Sequence, residues 1–88
     1  MSVRLIDDMS HRSRSSAVRG RVLELLALGY SSKMICEELY LSRTALDYHI
    51  AALRDTLQAA NRASIVARAY NQGVLQPDSW PPALNEEP

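Results

Sequence analysis

One stretch constrains the fold most, residues 32–51, reading SKMICEELYLSRTALDYHIA. Apolar side chains fall at Ile35, Cys36, Leu39, Leu41, Leu46 and Ile50. That spacing predicts two short helices joined by a tight turn. Ser42 stands where the second helix must begin, and a serine side chain there accepts a hydrogen bond from the free backbone N–H groups of a first turn. Two short helices at an angle cannot bury their apolar sides alone, so the flanking segments must complete a core.

They can do so with helices. Val18, Val22, Leu25 and Leu26 recur at helical spacing, which predicts a helix over about 17–28, ended by Gly29. Gly20 inside it costs up to ~1 kcal/mol relative to alanine, so its first turn is expected to fray. The two helices of the central stretch are predicted at about 32–39 and 43–57. In the second of these, Ile50, Leu53 and Leu57 lie within roughly 40° of Leu46 at about 100° per residue. Its opposite side carries Thr44, Asp47, Tyr48, Ala51 and Asp55. A fourth helix, about 61–72, starts at a capping Asn61 and stops at Gly73. No repeat and no strand pattern is present. The predicted class is all-α: a four-helix helix-turn-helix domain over 16–75. A flexible basic arm is expected at 1–15, and a Pro-rich acidic tail at 76–88, where all four prolines fall.

Eighty-eight residues make one small domain with a single core and modest stability. With no Phe and one Trp, that core must rest on Leu, Ile, Val and Ala. No apolar run approaches a membrane span, and the first ten residues do not resemble a signal peptide. The single Cys36 cannot form an internal disulfide. A cytoplasmic location is therefore expected, with no membrane contact. Formal net charge is zero, but the distribution is uneven: residues 9–75 hold nine basic and five acidic side chains. Four arginines and no acid lie between His11 and Arg21. The folded part is mildly basic, as suits a partner rich in phosphate.

From Arg21 to Leu75 the chain resembles the LuxR-type (GerE-like) DNA-binding domain of bacterial transcription regulators. The resemblance is carried by Val22-Leu23 with Leu25-Leu26-Ala27, then Gly29, Ser31, Lys33, Ile35, Leu39, Leu41-Ser42, Leu46, His49, Leu57 and Asn61-Arg62. His49 and Asn61-Arg62 separate it from the sigma-factor region that reads promoter −35 elements. The recognition helix diverges from the family pattern. Ala45-Leu46-Asp47 replaces a usual Thr-Val-Lys, Ala51 replaces a frequent basic residue, and Glu37 and Glu38 stand where basic residues are common. Met34 takes the place of the glutamate that usually pairs with the cap at Ser31.

The resemblance implies a sequence-specific transcription regulator, expected here as the DNA-binding domain alone, that places helix 43–57 in the major groove of double-stranded DNA. The chemistry of that helix's outer side gives candidate base contacts at Arg43, Thr44, Asp47, Tyr48 and Ala51: arginine suits guanine, aspartate a cytosine amino group, and Tyr or Ala a thymine methyl. Candidate phosphate contacts are Lys33, Ser42, Arg54, Arg19 and Arg21. The plain alternative is a solvated helix face. A basic arm at 11–14 could enter a minor groove. The fourth helix is apolar around more than half its circumference. A homodimer is therefore expected, with Ile65, Val66, Ala69 and Tyr70 at its interface, and a fold-back of the tail over this surface is the competing expectation. His49 is read as a packing or backbone-bonding residue and Cys36 as core. No catalytic, metal or cofactor motif is present, so no enzyme is expected. The alternative function is a protein-interaction module of the same fold that binds another regulator or RNA polymerase.

Overall fold

The computed structural model describes the backbone of residues 2–85 and the side chains from Ser15 onward. Four helices follow in order: α1 (Ser2–Ala27), α2 (Ser32–Leu39), α3 (Arg43–Leu57) and α4 (Arg62–Asn71). Among the described residues the other regular feature is a single antiparallel bridge between Leu75 and Leu84. The class is all-α, as the periodicity predicts.

Local chemistry sets the ends of the three short helices. Ser31 and Ser42 adopt extended backbone, and their hydroxyls accept from the N–H groups of Met34 (3.2 Å) and Ala45 (3.0 Å). Asn61 caps α4 by a reciprocal pair: its side chain accepts from the Ser64 N–H, and the Ser64 hydroxyl accepts from the Asn61 N–H. The turn between α2 and α3 is only Tyr40, Leu41 and Ser42. It closes because Tyr40 enters the left-handed region at φ 55° and the Leu41 N–H reaches the Cys36 carbonyl at 3.0 Å. The ring of Tyr40 is 95% exposed, so the conformation gains nothing from packing. The carbonyl of Leu57, left free at the end of α3, accepts from Arg68 Nε (3.1 Å) and Gln72 Nε2 (2.9 Å). A side chain of α4 and that of its C-cap residue thus cap α3.

The core joins all four helices: Val22, Leu23 and Leu25 of α1, Ile35 of α2, Leu46, Ile50, Leu53 and Leu57 of α3, and Ile65 and Ala69 of α4. Cys36 and Leu39 pack half-buried against it. In α2 and α3 these are the positions the apolar spacing selects; Leu23 of α1 is added, and Ile65 and Ala69, expected at a dimer interface, belong to the core of the single chain.

The N-terminal end of the chain differs from expectation. The first helix begins at Ser2 and not near Ala17, so the stretch 1–15 expected as a flexible arm is helical from Ser2 on. That stretch has no glycine or proline, and its Ser, Arg and His residues each cost only a few tenths of a kcal/mol in a helix. Polarity removes a reason to pack, but it does not break a helix. The side chains at 11–14, expected near a minor groove, lie outside the described residues.

The tail folds back, and its contacts at Gly20 and Glu24 lie on α1. Residues 74–85 double back, with Gln76 N–H bonded to the Ala83 carbonyl (2.8 Å) and Asn85 N–H to the Val74 carbonyl (2.9 Å). Leu84 N–H donates to the Glu24 carboxylate on α1 at 3.3 Å. Leu75 is fully buried, and Leu84 packs against the core. Prolines remove donors, but the remaining N–H groups suffice to tie the two limbs together. This clasp explains Gly20. A Cβ there would sit 2.6 Å from Leu84 Cδ1, so the glycine is the seat of the tail and not only a weak point in a helix. Leu23, three residues after Gly20, is buried in the core.

Candidate nucleic-acid interface

Helix α3 divides cleanly. Leu46, His49, Ile50, Leu53 and Leu57 are buried, while Arg43, Thr44, Asp47, Tyr48, Ala51, Arg54 and Asp55 are exposed. All five candidate base contacts lie on the exposed side, and Tyr48 is 64% exposed. None of them is spent on the core. At the leading end of the helix Arg43 Nε donates to Asp47 Oδ1 at 3.1 Å, one turn along.

The helix starts share a charge pattern. Lys33 lies in the first turn of α2, Arg43 in that of α3 and Arg62 in that of α4, and none of these first turns carries an acid. A helix start already holds a partial positive charge, so cations there oppose helix stability and favour an external anion. Arg62 Nη1 donates to Ser32 Oγ, which ties the start of α4 to the start of α2. In the sequence Arg62 stands out only as half of the Asn61-Arg62 pair. Its link to Ser32, thirty residues away, leaves no local signal.

The five candidate phosphate contacts separate into different environments. Lys33 is exposed. Ser42 is exposed, but its hydroxyl is used as the cap of α3. Arg54 is exposed and donates to the Ala60 carbonyl at 3.0 Å. Arg19 turns toward α3: its Nε donates to His49 Nδ1 at 3.3 Å, and its guanidinium carbon lies 5.6 Å from the centre of the Tyr48 ring. Tyr48 and His49 in turn meet edge to face at 5.6 Å. Arg21 is two residues further along α1, about 200° around the helix. It pairs with Glu24 at 2.8 Å, on the side that holds the tail. The two arginines face different sides of α1, and of the two Arg19 adjoins the outer side of α3.

His49 is a packing residue with a polar duty. It is 8% exposed, and burial, followed by the charge of Arg19, lowers its pKa below the ordinary histidine value. An acceptor at Nδ1 requires the unprotonated ring edge, which this shift favours.

The residues expected at a dimer interface split as well. Ile65 and Ala69 are fully buried in the core of the single chain, so they have no surface to offer a second copy. The reason is that an apolar arc wider than the core needs does not say which part turns inward. Val66 and Tyr70 are half-buried, and the outward side of α4 continues through Ala63 and Ala67. The tail seats on α1 at Gly20 and Glu24.

Among the described residues, no group of three or more His, Cys, Asp or Glu side chains lies together as metal ligands would. No helix there is long and apolar enough to cross a membrane. No curated protein and no solved structure matches the chain. The family described as GerE, bacterial regulatory proteins of the luxR family, matches residues 11–69, more than half of the chain and all of the helix-turn-helix. With its capped helices, its three-residue turn and a second helix whose outer side is free, the chain belongs to the luxR family of bacterial regulatory proteins and carries their DNA-binding helix-turn-helix domain.

Proposed function

We propose that this domain is a sequence-specific transcription regulator acting in the cytoplasm, with α3 in the major groove of double-stranded DNA. The observation that carries the reading is the outer side of α3. Arg43, Thr44, Asp47, Tyr48 and Ala51 form a continuous exposed row, mostly of groups that bond to base edges, at the start of a capped helix with no acid in its first turn. Lys33 and the hydroxyl end of α3 at Ser42 flank that row and suit phosphates, with Arg54 and Arg19 at its margins. On DNA a second copy pairs through the outward side of α4, at Val66 and Tyr70 with Ala63 and Ala67, and so fixes half-site spacing.

Selection of bound DNA from a random pool tests binding, consensus and symmetry together. A two-fold consensus whose affinity falls steeply with added salt is the expected result. A Lys33→Ala change should weaken all sequences alike, whereas changes on α3 should alter which sequence is preferred. Absence of DNA affinity even at low salt would refute the reading.

A second reading, a module binding another regulator or RNA polymerase, draws on Glu37 and Glu38, which are exposed on α2, and on the zero net charge of the chain. It predicts weak, unselective DNA binding and a protein complex that survives Arg43→Ala but not reversal of the Glu37-Glu38 charge.

A further inference from the structure

Resting on the DNA reading above, we infer that Asp47 positions Arg43 and does not itself read a base. The guanidinium has two donor edges. The Asp47 carboxylate occupies the one at Nε, at 3.1 Å, which leaves the terminal pair of amino groups as a free edge. Two parallel donors of that kind match the O6 and N7 acceptors of guanine in the major groove. The pair is therefore one reading unit for one guanine, with the carboxylate fixing a long side chain that is otherwise free to wander.

Three observations support the assignment. Both side chains are more than half exposed, 67% for Arg43 and 61% for Asp47, so neither is held by the core. An exposed pair of this type adds little to stability. The order also runs against helix stability: the cation sits in the first turn and the acid a turn later, whereas the reverse order would complement the helix dipole. Lastly, a lone carboxylate near a phosphate backbone is repelled, and direct pairing with Arg43 removes that penalty. The unit is neutral, so it contributes selectivity without steepening the salt dependence.

The test is DNA selection and competition with the unaltered chain and with Arg43→Ala, Asp47→Ala, Asp47→Asn and the double alanine variant, each checked for helicity by circular dichroism. The unaltered chain should prefer guanine at one position, and Arg43→Ala should lose that preference by ~10-fold. Asp47→Ala should weaken the preference at that same position. Asp47→Asn, whose amide oxygen still accepts from Nε, should retain part of it, and the double variant should be no worse than Arg43→Ala. If Asp47→Ala changes preference at a different base, or at none, the assignment fails while the DNA reading stands. If the unaltered chain selects no DNA, the DNA reading fails and the assignment with it.

Discussion

The outer side of α3 and the clasp at 74–85 are both surface features rich in polar groups, yet they are built on opposite terms. In the clasp the two limbs are held by internal bonds: Gln76, Leu84 and Asn85 bond across them, Glu24 holds one of them to α1, and Leu75 and Leu84 reach the core, while Trp80 at the bend stays exposed. On α3 the row from Arg43 to Ala51 engages nothing deeper than a neighbour on its own helix or Arg19 of α1. Side chains whose bonds are all internal serve the fold, and side chains held at the surface without such bonds are available to a partner. The contrast separates stability from recognition, and substitutions can probe it directly.

The largest effect should come from the clasp's anchor. Leu75 is fully buried, so Leu75→Ala should cost roughly 2–5 kcal/mol in denaturant unfolding. A cost near zero would mean that the tail is dispensable and that the contrast is false. Next is the Gly20–Leu84 contact. Leu84→Ala should cost about 1–2 kcal/mol, less than a fully buried leucine. In that background Gly20→Ala should recover about 1 kcal/mol, because the helix gains alanine and the methyl has room. With Leu84 present the gain should shrink or reverse, since the new methyl meets Cδ1. A double-mutant cycle measures this coupling.

Smaller still is the pH dependence at His49. Its pKa is lowered in the fold, so between the folded value and the unfolded value near 6.5 the unfolded chain binds more protons. The contribution is fully present above about pH 6.5 and is lost as pH falls through the folded pKa. Melting temperature followed over pH should decline on the acid side, and the decline should be reduced in His49→Gln. The smallest stability effects should come from the reading row. Arg43→Ala and Asp47→Ala should each shift unfolding by no more than about 0.5 kcal/mol while changing DNA preference. A large loss of stability there would place these residues with the clasp.

How far the sequence discloses this molecule follows the same division. The starts of α2, α3 and α4 are legible because caps are local: Ser31, Ser42 and Asn61 each bond a backbone N–H three residues on. The outward row of α3 is legible because 100° per residue fixes which side chains share a side. What needs contacts distant in sequence is not legible. Gly20 reads as a defect until Leu84 arrives from the far end of the chain. Ile65 and Ala69 read as surface because a helix apolar over most of its girth does not announce which side is inward. Arg19 and Arg21 read as companions, although their two-residue separation sends them to opposite sides of α1. The spacing of Arg43 and Asp47 does permit a pair, but free positions four apart on a helix also permit two separate contacts.

One turn of α1 joins the two regions. Arg19 steadies Tyr48 on the reading side, and the very next residue, Gly20, receives the tail. Because a helix turn is stiff, the carboxyl-terminal loop and the aromatic ring facing outward from α3 share a single mount. The support of the outward ring and the seat of the loop are thus adjacent residues of one helix turn, about 100° apart around its axis.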